Sequence, residues 1–252
     1  MDEDRNIIAN MCAITISREY GSGGGEIAAR LAKRLQWQLI DHEVVVQVAQ
    51  KLHVSEAEAE DYDDRVESLA SRILKSLRVV QPTTPVTIEI PLTMDSQAFY
   101  KARYQVIEGA VASGQVVIVG RGAQAHLAQR RDVLHVRIVA SLELRIAYVM
   151  NREGLNREAA HARILKKDQD HTRYLETFYH RNPSDPHLYD LILNTSILDL
   201  DSAVDVIRAV LEHKATRLSI AAQELGPAVG LSRYPAQPED FRPPQRISPT
   251  ND

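Results

Sequence analysis

Short apolar runs alternate along this chain with longer stretches whose apolar residues recur every three or four positions. The first run, Ala13-Ile14-Thr15-Ile16, predicts a buried strand. It ends in Tyr20-Gly21-Ser22-Gly23-Gly24-Gly25, a turn-forming stretch. Ile27, Leu31 and Leu35 then fall four apart, on one face of a helix. Gln38-Leu39-Ile40 predicts a second short strand, closed by Asp41. A mostly helical region follows from about Glu43 to Leu77, acidic around Glu56 to Asp64. Pro82, Pro85 and Pro91 break helical continuation and mark an extended linker. Asp95 or Ser96 can cap a helix running to about Ala112, which Ser113-Gly114 ends.

The second half alternates more regularly. Val116 to Val119 and Val133 to Val139 read as buried strands, and Leu191 to Leu193 as a fifth. Leu142 to Arg152, Glu158 to about His180, and Asp201 to Lys214 read as helices. Strands separated by helices predict an α/β fold, a five-stranded parallel sheet with helices on both faces. Residues 1–12 read as a flexible leader and 13–215 as the folded domain. The stretch 216–252 reads as a disordered tail or an arm that docks a protein partner, because six of the eleven prolines follow Gly226.

Bulk composition narrows the function classes. The net charge of −4 gives no general attraction to nucleic acid. No apolar run approaches the roughly 20 residues that span a bilayer. The single cysteine, Cys12, rules out an intrachain disulfide. The expectation is a cytoplasmic protein that binds neither nucleic acid nor membrane.

The most informative stretch is the glycine loop between the first strand and first helix. Glycines let the backbone bend sharply and approach a ligand. The opening N–H groups of a helix have no internal partners, and with the helix dipole they form an anion site. Gly21, Ser22, Gly23, Gly24 and Gly25 are therefore candidate phosphate-binding residues. The pattern G-x-x-x-x-G-K-[ST] is not met: Arg18 stands at the first glycine, Gly24 at the lysine and Gly25 at the hydroxyl residue. Two other readings stand beside it. One is a tight turn that merely packs helix on strand. The other is a dinucleotide site, with Gly21-x-Gly23 and Asp41 about 20 residues on. Against the latter, Glu26 occupies the third glycine position, and the next strand arrives only at about Val116.

Four segments, taken in order, resemble the cytidylate kinase-like family. They are Ser17-Arg18-Glu19-Tyr20-Gly21-Ser22-Gly23-Gly24, Val119-Gly120-Arg121-Gly122-Ala123, Asp168 to Arg173, and Tyr189-Asp190-Leu191-Ile192-Leu193-Asn194-Thr195. The resemblance runs from about Ala13 to Lys214. It implies a P-loop NTPase-type sheet with a helical insertion at 43–112 that binds the nucleoside monophosphate and a lid at 151–181. It implies ATP and Mg²⁺ as cofactors and transfer of the γ-phosphoryl group to a nucleoside monophosphate, CMP or dCMP. By that analogy Gly120-Arg121 faces the monophosphate, Arg145 opens the helix leading to the lid, and Asp41 lies where the acceptor enters. The acidic residue that follows the arginine in cytidylate kinases is replaced here by Gly122.

Phosphoryl transfer needs positioning and neutralised charge more than covalent help. Arginine suits it, with a planar fork that holds two oxygens and stays charged. Arg18, Arg121, Arg145 and Arg173 are the catalytic candidates, with Arg18 replacing the missing lysine. Arg121 is the strongest, because it sits between glycines at a strand's carboxyl end. Arg163, Asp168 and Asp170 are lid candidates, and Lys166-Lys167 reads as a solvated pair. Ser22, or Ser17, would replace the missing hydroxyl ligand to Mg²⁺. His126, His135, His171 and His180 read as core or surface residues, and Tyr100, Tyr104, Tyr174 and Tyr179 as packing. A nucleotide-sensing regulator without catalysis, or a kinase for another acceptor, remains open on the degraded loop.

Overall fold

The computed structural model describes residues 7–41 and 96–226, with side chains from Tyr104 onward in the second segment. Positions 43–95 of the expected insertion, the first six residues and the chain beyond Gly226 lie outside these. Two units result, Met1–Arg217 and Leu218–Asp252. In the second, the described part contains one 3-10 turn, Ala222–Glu224.

Five strands form one sheet: β1 (Ala13–Arg18), β2 (Gln38–Ile40), β3 (Val116–Val119), β4 (Val133–Val139) and β5 (Leu191–Asn194). Their order is β2-β3-β1-β4-β5, and every adjacent pair is parallel. The first strand lies at the centre, where both faces are covered. That is why it reads as a nearly continuous apolar run rather than an alternation.

Register sorts the two faces. Ala13 pairs with Val116 and Val133. These residues share a core with Ile40, Ile118 and with Val106, Ile107, Ala110 and Val111 of helix α2 (Ser96–Ser113). The single-turn helix α3 (Ala123–His126) and Leu127 close the same core. Helix α1 (Gly24–Leu35) covers the opposite face, and α6 (Leu200–Thr216) packs beside it.

Between β4 and β5 the chain makes a helical hairpin, α4 (Leu142–Glu153) and α5 (Arg157–Tyr179). Gly154 ends α4 at φ 65°, and its N–H bonds the Met150 carbonyl. The Asn156 side chain caps α5 by accepting from the Ala159 amide. Ile146 and Val149 of α4 pack on Ala160 and Ile164 of α5, with Tyr20 at the margin. The range expected for the lid, 151–181, takes in the end of α4 and all of α5, and Tyr20 of the glycine loop meets this hairpin. Among the described residues, no helix is long and apolar enough to cross a membrane.

Candidate phosphate site at the carboxyl edge of the sheet

The turn between β1 and α1 is shaped by contacts that leave no room for side chains. Gly21 and Gly23 adopt φ of 85° and 80°. A Cβ on Gly23 would stand 2.8 Å from Leu200, and one on Gly24 would stand 2.7 Å from the Cβ of Arg18. The loop is pinned from below. The Ser22 amide and hydroxyl both donate to the Glu19 carbonyl, at 3.2 and 2.9 Å. Thr195 donates to the Ser22 carbonyl at 2.9 Å.

Gly23 caps α1 without any side-chain acceptor, and the space in front of Gly25 is open. The opening amides and positive dipole of α1 thus face a site that an anion fits. Glu26, the acid in that first turn, is drawn aside into an ion pair with Arg152. The five loop residues expected to bind phosphate come together as one cradle.

The Mg²⁺ expectation fares differently. Ser22 is buried, and its hydroxyl turns inward to the carbonyls of Glu19 and Ile138. That orientation does not fit a metal ligand, so Ser22 is corrected to a loop-fastening role. Ser17 is also buried, 3.2 Å from the Tyr189 hydroxyl. Among the described residues, no group of three acidic, histidine or cysteine side chains is placed to hold a metal.

Arg18 closes one side of the cradle. Its stem lies against Gly24, and its guanidinium reaches Gly120, where a Cβ would stand 2.1 Å from Nη1. Arg121 follows directly. Gly120, Arg121 and Gly122 all adopt left-handed backbone, with φ of 70°, 62° and 70°. For an arginine this conformation costs on the order of 1–2 kcal/mol. Two tyrosines of α5 hold it there. Their hydroxyls meet the Arg121 carbonyl, Tyr174 at 3.3 Å and Tyr179 at 3.5 Å. The Tyr179 ring occupies the space that a Cβ on Gly122 would need. Burial lowers the pKa of both arginines. The Arg121 charge lowers that of Arg18 further, and Asp41, at the end of β2, offsets part of both shifts.

Arg145 has a different setting. It is buried, with Nη1 3.2 Å from Glu19 and Nη2 bonded to Asp168. Asp168 also accepts from the Tyr20 amide at 2.9 Å, and Glu19 from the Ala140 amide at 3.1 Å. Arg145, expected among the catalytic residues, thus fastens the glycine loop to both helices of the hairpin. Burial raises the pKa of Asp168, against the pull of the Tyr20 amide and Arg145. Arg163 pairs with Glu153, which also accepts from the Tyr20 hydroxyl at 2.5 Å. Arg173 and Asp170 are exposed on α5 and are not brought to the cluster.

Comparison with known proteins follows the same outline. Residues 13–197 match the cytidylate kinase-like family. The chain belongs to that family. A cytidylate kinase of Methanopyrus kandleri is 30% identical over 111 residues, 41% of this chain and 58% of the relative. One from Pyrococcus horikoshii is 32% identical over 105 residues, 41% and 53% of the two chains. The chain thus spans little more than half the length of these curated relatives. An uncharacterized protein from Eubacterium ventriosum superposes with a TM-score of 0.60 at 21% identity, covering 80% of this chain and 98% of that one. The fold is the P-loop NTPase type, with the family's glycine loop after the central strand.

Within this family fold, three site residues escape a reading of the sequence. Arg137 lies on β4, 8% exposed, with Nη1 3.3 Å from the Tyr189 hydroxyl and its guanidinium over the Tyr189 ring. Glu19 receives Arg145 and stands 4.0 Å from Arg137. His171 of α5 is partly buried, with its Nε2 shut off from solvent, within reach of the charges of Arg18, Arg137 and Arg121. One signal was available for Arg137: a charged residue inside the mostly apolar Val133 to Val139 is costly without a task.

Proposed function

We propose that this protein transfers the terminal phosphoryl group of ATP to a nucleoside monophosphate, with CMP or dCMP as the acceptor. The observation that carries this reading is the meeting of two features at the carboxyl edge of the sheet. The uncapped amides of α1 open the site, Arg18 lies between Gly24 and Gly120 beside it, and Arg121 is near enough for its charge to act on Arg18. A phosphate oxygen of the acceptor would attack the γ-phosphorus, the bond to the bridging oxygen would break, and ADP would leave. Amides would hold the donor phosphates, while the two arginines would neutralise charge on the oxygens in transit. Arg18 thereby replaces the lysine absent at Gly24. Mg²⁺ would arrive with the nucleotide and supply charge neutralisation; no described side chain is assigned to it. The base preference rests on the family and on the cytidylate kinases it matches. We further infer a cytoplasmic protein whose partners are nucleotides, and a docking role for the chain beyond Gly226.

The test is acceptor-dependent ADP release with ATP, Mg²⁺ and each of CMP, dCMP, UMP, AMP and GMP. Release with a clear preference for the cytidine nucleotides is the expected result. Arg121→Ala and Arg18→Ala should each lower kcat by about 10²- to 10³-fold, with little change in thermal midpoint. One observation favours a second reading: the loop has neither the lysine nor the hydroxyl residue of its pattern. ATP binding with no turnover on any acceptor would replace the kinase by a nucleotide-sensing regulator. Turnover on an acceptor outside the panel would keep the kinase and change its substrate.

A further inference from the structure

His171 takes no part in the chemistry above, yet its setting is unusual. It lies on α5 three residues after Asp168 and four before Leu175, on the side of the helix that faces the protein. Its Nε2 is shut off from solvent and has no hydrogen-bond partner among the described residues. A buried polar atom left this way costs about 1–3 kcal/mol unless something else occupies the space in front of it.

The charges that reach it are of one sign and come from three strands. Arg18 ends β1, Arg137 lies within β4, and Arg121 follows β3. Burial first, and then these three charges, push the imidazole down to about 4, so it is neutral near pH 7. The nearby carboxylates already have partners, and one of them, Glu19, stands 4.0 Å from Arg137. Asp168 on the same helix accepts from Arg145 and the Tyr20 amide. Glu19 lies 3.2 Å from Arg145 and accepts from the Ala140 amide. Asp41, after β2, acts on Arg18 and Arg121. The Tyr20 hydroxyl is on Glu153, and that of Tyr189 meets Arg137. A phosphate-class anion among the three guanidiniums would balance their charge and give Nε2 an oxygen to donate to.

We propose that His171 is the fourth donor of an oxyanion site formed with Arg18, Arg121 and Arg137, and that it takes up one proton from solvent when a phosphate-class dianion enters. This rests on the phosphate-binding half of the proposed function, not on the transfer itself. It makes anion affinity depend on pH through the protein. Above its free value the imidazole is neutral without the anion, and the anion's charge raises its affinity for a proton. Affinity then grows as pH falls through that interval, by up to about tenfold per pH unit.

Inorganic sulfate is the probe, because it remains a dianion from pH 5 to 8 and contributes no titration of its own. Calorimetry of the full chain in two buffers of different ionisation enthalpy counts the protons taken up. Proton NMR follows the His171 ring, assigned by its loss in His171→Gln. The expected result is uptake approaching one proton per sulfate and a His171 resonance that titrates near neutrality only when sulfate is bound. His171→Gln should take up none, and Arg137→Ala should bind sulfate at least tenfold more weakly. The wild-type NMR titration stands even if a variant fails to fold. No sulfate binding, binding without proton uptake, or a His171 ring indifferent to sulfate overturns the proposal. Proton-linked sulfate binding in a protein that turns over no nucleotide would keep this site and remove the kinase reading.

Discussion

Arg145 divides one guanidinium between two carboxylates, and all three groups are partly or fully withdrawn from water. Removing it leaves Asp168 without its cation and Glu19 with only Arg137 at 4.0 Å. Arg145→Ala should therefore destabilise the fold by about 3–5 kcal/mol, read as a lower urea midpoint. Two glycines nearby separate stability from function. In Gly120→Ala the new methyl meets the tip of the Arg18 side chain, which is free to swing aside. The φ of 70° at Gly120 adds about 1–2 kcal/mol of backbone strain, so turnover should fall with a modest drop in thermal midpoint. In Gly122→Ala the methyl meets the Tyr179 ring at 2.4 Å, in a backbone already left-handed. A ring packed against Tyr104 and Tyr174 cannot yield as easily, so the midpoint should fall clearly. At this scale the sequence showed Arg121 plainly, because glycines flank it at a strand end. Arg137 was hidden by its strand. His135 and Arg137 line one face of β4 beside Thr15 and Ser17 of β1, a polar track that exists only once the register is known.

Helix α6 begins at the site rather than beside it. Leu200 blocks any Cβ on Gly23, and Asp199 caps the helix by accepting from the Asp201 and Ser202 amides. Asp199→Ala should lower the thermal midpoint, because the Asp201 and Ser202 amides lose their acceptor. Because the same turn braces the glycine loop, it should also weaken ATP binding, measured by calorimetry. Strands and long helices were legible in the pattern, since apolar runs and four-residue spacings survive any tertiary context. The single turn α3 was not, because four residues carry no period. The hairpin of α4 and α5 was half legible. On α5 the inward positions are Ile164, Asp168, His171 and Leu175, two of them polar. A helix whose buried stripe is partly charged shows no clear apolar face. Arg173 therefore read as a catalytic candidate and His171 as a core or surface residue, though the two lie two positions and about 200° of rotation apart.

Over the whole molecule, stability should depend on a buried imidazole far from any catalytic role. His135 is 5% exposed, and its Nδ1 lies 2.8 Å from the Thr15 hydroxyl. Its amide donates to Asp190, which also receives Lys214 of α6. Burial lowers this histidine to about 4, from an ordinary 6.5. The unfolded chain thus binds more protons between those values. The contribution is fully present above about pH 6.5 and is lost as pH falls toward 4, to an extent on the order of 3 kcal/mol. Between pH 7.5 and 5 the stability read from urea unfolding should fall by about 2 kcal/mol on this account, and His135→Asn should reduce the fall. Asp132 adds to the loss only in stronger acid. Arg130 holds it down to about 2, so its stabilisation fades as pH falls from 3.8 to that value.

The central position of β1 has a consequence for the growing polypeptide. Thr15 finds its partner His135 only 120 residues later, and the other neighbour, β3, is also distant. At about 5–20 residues per second, a ribosome takes roughly 6 to 24 s to cover that gap. Until β3 is made, the apolar Ala13 to Ile16 has neither of its neighbouring strands to pair with. It is the segment of this protein most in need of a chaperone, and the place where slowing synthesis before β4 would raise the yield of aggregates.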